Sequence, residues 1–300
     1  MGASVRISDA TFAGNDQIRP LTPGDVERLS LDPRRGLDHD DLLSLVIQLP
    51  GLSFWHPATG EFILVTPWRH RMDLPSVHTI SAFQHETALL RAATEAARDA
   101  NAAALMYVDS YEIRRPAFYV KHGFQRIEEI VTYELLRPRV EPLHVRSLTQ
   151  RFVRVPIHDE AWLQAVMEVD HDAFPWLWWN SRAEFSSYLQ FPGVEIWAGL
   201  LGEDIVTYIG LTHYHGWGHL DRIATRSDYQ GRGLGREALT FAIDRMASHG
   251  SKRIALSTQG NNLRSQRMYL GYGFRQTPNH NYAVYGIVFD PERVEAGTRP

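Results

Sequence analysis

The second half of the chain carries a regular succession of helical and strand-like patterns of apolar residues. Apolar positions recur at helical spacing between residues 159 and 171, where Trp162 and Val166 lie on one face. Ser181, with Glu184 three residues later, is the capping pattern that begins a second helix. A long helix is predicted from 235 and a short one over 262–270. Apolar runs predict strands at 151–155, 194–201, 205–213, 219–225, 254–257 and 282–288. Because the early strands follow one another and the later ones alternate with helices, the pattern predicts a mixed sheet covered by helices.

The same succession of elements occurs twice, at an offset of 150 residues. FYVKHGF, ending at Phe124, matches MYLGYGF, ending at Phe274. A helical pattern and a short apolar run precede each copy, at 85–101 and 104–108 in the first half and at 235–249 and 254–258 in the second. Helix, strand, helix and Gly-Phe pair in phase predict two tandem domains, 1–140 and 150–300, joined by the proline-containing segment 137–150.

The composition narrows the class of function. Hydrophobic residues make up 44% of the chain and charged residues 22%, which is enough to form a core. A net charge of −4 disfavours nucleic-acid binding through clustered cations. The absence of cysteine excludes disulfides, thiolate zinc ligands and a cysteine nucleophile. No apolar run has the length of a signal peptide or a membrane span, so we expect a cytoplasmic protein with no membrane or nucleic-acid partner, its oligomeric state being open.

A glycine-rich stretch, Gln230 to Gly235, follows a predicted strand and opens the long helix. Glycines let the backbone approach a ligand closely, and free N–H groups at a helix start attract phosphate together with the helix dipole. Arg232 and Arg236 add positive charge. The spacing Q-x-x-G-x-G differs from the P-loop and from the dinucleotide-binding G-x-G-x-x-G. On its own, such a stretch is also compatible with a plain strand-to-helix turn.

The stretch resembles the Q/R-x-x-G-x-G/A signature of the GNAT superfamily of N-acetyltransferases. Downstream, Asn262, Ser265, Tyr269, Gly273 and Phe274 resemble its N-x-x-A/S-x-x-x-Y-x-x-x-G-F signature. The resemblance is strong over residues 152–288 and weak in the first half. It implies an α/β (α+β) fold of two tandem GNAT-like domains, each a mixed, largely antiparallel sheet flanked by helices, with acetyl-CoA as cosubstrate.

The resemblance also implies how acetyl-CoA is held. The strand before the loop would bond the pantetheine arm through its backbone, and the loop N–H groups would hold the pyrophosphate. The implied cofactor-binding residues are Ile223, Ala224, Thr225, Gln230, Gly231, Arg232, Gly233, Leu234, Gly235, Arg236, Asn262 and Ser265. Asn262 could instead simply cap its helix.

Two catalytic roles follow from the same resemblance. Tyr269 matches the family's general acid, which protonates the leaving CoA thiolate, and a packed tyrosine is the alternative. Some members use a Glu eleven residues before the signature Gln as general base, and this position is His219. Asp221 lies two residues further on the same strand face and is the second candidate, with water as the third.

Two clusters beside these residues have more than one interpretation. His213, His215 and His219 could form a three-histidine zinc site, but acetyl-CoA accounts for the rest of the motif and we expect no metal. Residues 175–179, PWLWW, lie where GNAT proteins bind the acceptor, and aromatic walls suit an amine. Aromatic packing at the domain interface explains them equally well.

The first half lacks the cofactor signature. At the offset of 150, the loop glycines are replaced by Ser81, Phe83 and His85, and Asn262 by Glu112. Only the end of the repeat, with Tyr119, is kept. We therefore expect that this half does not bind acetyl-CoA in the usual way and that it supports the active half or walls its acceptor cleft.

The sequence thus predicts an N-acetyltransferase that transfers an acetyl group from acetyl-CoA to a primary amine of a small molecule or peptide, by direct attack in a ternary complex. An acyl-CoA-binding pseudoenzyme or sensor without turnover is the first alternative. A scaffold protein with no affinity for CoA is the second.

Overall fold

The computed structural model describes residues 18–31, 38–109, 116–138, 149–156 and 158–295. Most of the predicted joining segment, at 139–148, lies outside these ranges, as does Glu112. The strands within them are β1 (Arg19–Pro20), β2 (Phe54–His56), β3 (Glu61–Trp68), β4 (Arg71–Ser81), β5 (Ala104–Val108), β6 (Gln125–Leu136), β7 (Arg151–Arg154), β8 (Val194–Leu201), β9 (Asp204–Tyr214), β10 (Trp217–Thr225), β11 (Arg253–Gln259), β12 (Arg275–Gln276) and β13 (Tyr282–Val288). The helices are α1 (His39–Val46), α2 (Glu86–Asp99), α3 (Pro116–Lys121), α4 (Glu160–Ala173), α5 (Arg182–Gln190), α6 (Leu234–Ser248), α7 (Leu263–Gly271) and α8 (Pro291–Glu295). Short 3₁₀ helices include Trp176–Trp178 and Ser227–Tyr229.

All described strands join one sheet, in the order β1-β2-β3-β4-β5-β13-β6-β11-β10-β9-β8-β7, with β12 paired to β6. Among the described pairs, β4 with β5 and β10 with β11 are parallel and the others are antiparallel. Helices flank the sheet, as the sequence predicts.

The last strands of the two halves are exchanged at the centre of the sheet. β13, from the second half, pairs with β5 and β6 of the first half. β6, from the first half, pairs through its residues 130–136 with the whole length of β11 of the second. Each half therefore completes the sheet of the other, and the backbone hydrogen bonds of β11 depend on a strand more than 100 residues earlier in the chain.

The elements predicted in the second half occur close to their predicted bounds. β8 and β13 begin and end where the apolar runs predict. The Ser181 side chain accepts a hydrogen bond from the Glu184 N–H at 3.0 Å and begins α5. Asn262 caps α7 in the same way, through the Ser265 N–H.

Apolar side chains fill both faces of the sheet. One cluster in the second half packs α6 on β10 and β11 through Leu239, Ala242 and Ile254. Another packs α4 and α5 on the opposite face through Val166 and Phe185. No described helix combines the length and apolar character needed to cross a bilayer.

The β3–β4 hairpin of the first half reaches into the second half. Its two-residue turn consists of Arg69 and His70, at φ 52° and 53°. The Trp68 indole N–H donates to the Leu177 carbonyl at 2.8 Å, and the Ser181 hydroxyl donates to the Arg69 carbonyl at 2.9 Å. These contacts hold the turn against the aromatic segment 175–179.

Candidate active site

A β-bulge in β10 places Asp221 at the centre of the second half. The antiparallel register with β9 shifts between Leu220 and Arg222, so Asp221 is left out of the ladder. Leu220 packs in the cluster with α6, whereas Ala224 packs in the cluster with α4. The bulge therefore exchanges the two faces of β10 and turns the backbone at Asp221.

The Asp221 carboxylate is held by three side chains. It accepts hydrogen bonds from the Tyr188 hydroxyl at 2.5 Å and the Thr212 hydroxyl at 2.6 Å, and His219 Nδ1 lies 2.7 Å from its other oxygen. Burial and the neighbouring negative charge of Asp221 raise the pKa of Tyr188, so its hydroxyl remains a donor. His219 and Asp221 thus share a face, as predicted, and touch.

The parallel strands β10 and β11 separate beyond Leu220, which opens a cleft in the sheet. They pair from Trp217 to Leu220 on β10, although β10 continues to Thr225 and β11 to Gln259. A cavity of about 140 Å³ lies at the separation. Its walls include Asp221, Ile223, Asn262, Ser265 and Tyr269, whereas His219 lies behind Asp221.

The loop between β10 and α6 presents a row of free backbone N–H groups. Gly231 and Gly233 have φ of 81° and 85°, a conformation that other residues rarely adopt. The N–H groups of residues 231–235 donate to no residue that the structure describes. A Cβ at Gly233 would meet no atom within 4 Å, so the space above the loop is open. Free amides at the start of a 15-residue helix form an anion site.

The charged and polar side chains of this loop are tied to the protein. Gln230 donates to the Thr225 carbonyl at 3.1 Å and accepts from Arg264 at 2.8 Å. Arg232 donates to the Asp228 carbonyl, and the Arg236 guanidinium lies 5.7 Å from the Tyr272 ring centre. Leu234 is buried and Gly235 approaches Thr225, so these two positions anchor the helix start.

Tyr269 projects from α7 into the same cavity. Its side chain is 3% exposed. Burial raises its pKa to about 12, against a smaller opposite effect of the Ser265 hydroxyl. Tyr269 is therefore protonated throughout the neutral range and can donate a proton. Ile223, Ala224 and Thr225 lie on the separated part of β10, where their other edge faces β9.

The three candidate zinc ligands are not brought together. His219 contacts Asp221, and His215 lies in the exposed turn between β9 and β10. His213 stacks on His249 with ring centres 4.2 Å apart, beside Glu195. The Glu195 carboxylate accepts two hydrogen bonds from Arg245, at 2.7 and 2.9 Å.

The equivalent loop of the first half is closed by its own carboxylate. Glu61, on β3, accepts hydrogen bonds from the backbone N–H groups of Phe83, Gln84 and His85 at 2.9, 3.1 and 3.0 Å. His85 Nδ1 also lies 2.6 Å from Glu61. These amides occupy the repeat positions of the free amides in the second half, so an internal anion takes the place that a phosphate would need.

The equivalent cleft of the first half is filled by aromatic rings. Tyr107 stands at the repeat position of Ser257, and it stacks on Tyr119 with ring centres 3.6 Å apart. Both rings are fully buried in an apolar cluster. Tyr119, the counterpart of Tyr269, is thus a packed side chain.

Several residues of the cavity carry no motif and were missed by the sequence analysis. Arg222 forms a buried network with Asp170 and the Tyr208 hydroxyl, and its guanidinium lies 3.6 Å from the Phe174 ring centre. Arg69 enters the wall from the other half of the chain. Only contacts between residues distant in sequence reveal these side chains.

Trp178, in the aromatic segment 175–179, also lines the cavity, as does the neighbouring Phe174. The aromatic segment therefore contributes both to the cavity wall and to the contact with the hairpin.

Comparison with known proteins agrees with this geometry. Residues 158–274 match the sequence profile of the acetyltransferase (GNAT) family. No curated protein sequence matches the chain. The chain shares its fold with a GCN5-related N-acetyltransferase from Sphaerobacter thermophilus (15% identity, TM-score 0.54, covering 90% of this chain and 95% of that one).

Two further solved structures have the same fold. One is a tandem GNAT protein from the clavulanic acid biosynthesis pathway (12% identity, TM-score 0.55, covering 91% and 98% of the two chains). The other is a GCN5-related N-acetyltransferase from Kribbella flavida (11% identity, TM-score 0.61, covering 94% and 73%). Residues 158–274 thus form a domain of the acetyltransferase (GNAT) family, and through this domain the protein is an acyltransferase.

Proposed function

We propose that the protein transfers an acetyl group from acetyl-CoA to a primary amine of a small molecule or peptide, at one site per chain in the residues 150–300. The observation that carries this proposal is the convergence of three features on one cleft: the free amides of 231–235, the separated strands β10 and β11, and the Tyr269 hydroxyl. The first feature suits a pyrophosphate, the second an extended chain, and the third a leaving thiolate.

The residues of the loop fit the phosphates of acetyl-CoA. The five free N–H groups can donate to an anion without movement of the backbone, because the space above Gly233 is open. Arg264, held beside the loop by Gln230, adds a cation that the motif does not contain. The thioester of the bound cosubstrate supplies an activated acetyl group.

Asp221 and Tyr269 would divide the proton transfers between them. An amine must lose a proton as its nitrogen bonds to the acetyl carbon, and Asp221 is the carboxylate on the cavity wall that can accept it. His219, in contact with Asp221 and 30% exposed, can pass the proton to solvent. Tyr269 gives its proton to the sulfur as the carbon–sulfur bond breaks. Asp221 is accordingly favoured over His219 as the group that meets the amine.

We propose that the residues 1–140 bind no acetyl-CoA. Glu61 satisfies the amides of the equivalent loop, and Tyr107 fills the equivalent cleft. The function of this half is then to complete the sheet through β6 and to wall the cavity through the β3–β4 hairpin.

Release of CoA from acetyl-CoA in the presence of amines tests the proposal. A thiol reagent detects free CoA without reacting with the protein, because the chain has no cysteine. We expect turnover with at least one class of primary amine, and a fall in kcat of about 10²-fold or more in Tyr269→Phe. Tyr119→Phe, the matched change at the repeat position, should keep the wild-type rate. Binding of acetyl-CoA without turnover of any amine would instead favour the non-catalytic alternative, and full turnover in Tyr269→Phe would exclude the acid role.

A further inference from the structure

Arg69 is held in a strained turn at the wall of the cavity. Both residues of the turn have positive φ without being glycine, a conformation that persists only when surrounding contacts enforce it. Here the enforcing contacts come from the other half of the chain: Ser181 binds the Arg69 carbonyl and Glu184 lies 2.8 Å from His70. The result is that one guanidinium from the first half faces the cavity of the second.

Among the residues that the structure describes, no carboxylate forms a close ion pair with Arg69. Its Nε and Nη2 donate to the neutral amide oxygen of Asn180. The nearest carboxylate with which it forms an ion pair is Glu184 at 3.9 Å, and Glu184 is already bound to His70. Its side chain is 19% exposed, so water compensates only part of the charge.

The second guanidinium of the cavity is differently placed. Arg222 is 9% exposed and is neutralised by Asp170, which is fully buried. Burial and the like charge of Arg222 lower the pKa of Arg69 to about 10, which leaves Arg69 protonated at neutral pH. The Nη1 atoms of Arg69 and Arg222 donate to no residue that the structure describes.

The cavity therefore has two poles of opposite charge. Asp221 provides a carboxylate at one pole. Arg69 and Arg222 provide guanidinium groups at the other, and some of their N–H donors are not used within the described residues. A guanidinium recognises a carboxylate through two parallel hydrogen bonds. When the amine of an acceptor lies at Asp221, the other groups of the acceptor lie near the guanidinium groups of Arg69 and Arg222.

We propose that the acceptor is a primary amine that also carries a carboxylate, as an amino acid does, and that Arg69 determines this specificity by binding the carboxylate. This inference rests on the proposed function, because the amine is assigned to Asp221. It adds a role for the first half of the chain, since Arg69 belongs to the β3–β4 hairpin.

Matched pairs of acceptors test the inference. CoA release is measured with glycine, β-alanine, 4-aminobutyrate and L-phenylalanine and with the primary amide of each, on wild type, Arg69→Met, Arg69→Lys and the control Arg126→Met. Arg126 is an exposed arginine whose side chain is 59% accessible. We expect wild type to prefer at least one acid over its amide by about tenfold or more in kcat/KM, and Arg69→Met to lose this preference through KM. Because an amide also lowers the basicity of its amine, the quantity compared is the change of the acid-to-amide ratio between variants.

A binding measurement makes the outcome independent of turnover. The N-acetyl derivatives of the same acids and amides are added to each variant, and the rise of the melting temperature is recorded. The inference is supported if an N-acetyl acid stabilises wild type and Arg126→Met but not Arg69→Met. This holds even if no amine releases CoA; in that case only the proposed catalysis fails. Equal treatment of acids and amides by wild type overturns it, as does an acid preference that survives Arg69→Met. One molecule of acetyl-CoA bound by Arg69→Met would show that the variant is folded.

Discussion

Glu61 offers the sharpest test of the idea that the first half fills its own anion site. Its side chain is 10% exposed and receives three backbone N–H groups and the His85 ring. Burial opposes ionisation, but the hydrogen bonds from Phe83, His85 and Gln84 outweigh it and lower the pKa of Glu61 from 4.5 to about 2. Each pH unit corresponds to about 1.4 kcal/mol, so the ionised carboxylate stabilises the fold by about 3 kcal/mol at neutral pH.

Glu61→Gln keeps the size of the side chain and removes the charge. Its carboxamide has one oxygen, and its NH₂ group would face N–H donors, so we expect the free energy of unfolding to fall by about 3 kcal/mol at pH 7. Because the pKa is lowered in the folded state, the stabilisation is complete above pH 4.5 and is lost as the pH falls towards 2. The difference between wild type and variant should therefore shrink by about half at pH 3.

Urea unfolding followed by tryptophan fluorescence at pH 7, 4.5 and 3 measures this difference. Glu203→Gln, the same change in the exposed turn between β8 and β9, is the control and should cost less than about 0.5 kcal/mol. A cost below about 1 kcal/mol for Glu61→Gln at pH 7 would refute the assignment of Glu61 as the internal anion. So would a cost that is the same at pH 3 as at pH 7, because it would not come from the charge.

Two other expectations follow from the geometry. Residues 150–300 expressed alone lack β6, which leaves one edge of β11 unpaired. We therefore expect this fragment to aggregate or to show loss of structure by circular dichroism. A monomeric, folded fragment that binds acetyl-CoA would contradict the importance of the strand exchange. Asp221→Asn should lower kcat/KM for the amine by about 10²-fold or more in steady-state kinetics, and His219→Ala should lower it less. The reason is that the carboxylate lines the cavity, whereas the imidazole contacts the carboxylate from behind. A larger loss in His219→Ala than in Asp221→Asn would reverse the assignment of the base.

Local patterns were sufficient to predict much of the second half. The apolar runs gave β8 and β13 their bounds, and the capping pattern at Ser181 gave α5 its start. The two signatures located the loop and Tyr269, because each depends on residues close in sequence. The first consists of glycines within one strand-to-helix turn, and the second of side chains at fixed spacing along α7 and just after it.

Contacts between distant segments could not be predicted in the same way. The offset of 150 indicates two copies, but two similar strands can each complete either sheet, and the sequence does not say that β6 and β13 are exchanged. Likewise, Glu61 and Arg69 carry no motif, and their roles depend on where β3 and its hairpin are placed. The bulge at Asp221 depends on the register between β9 and β10, which sets whether Asp221 or His219 reaches the cavity.

The stoichiometry of acetyl-CoA binding tests the central claim most directly. Calorimetric titration of the full chain should give one site, and Gly233→Glu should abolish it. The new carboxylate would lie at the free amides of the loop, and the substituted residue would have to adopt the φ of 85° that Gly233 has. Phe83→Glu, which introduces the same residue at the repeat position, should leave the single site intact. Two sites in the wild type, or one site that survives Gly233→Glu, would contradict the division of the chain into an open and a closed half.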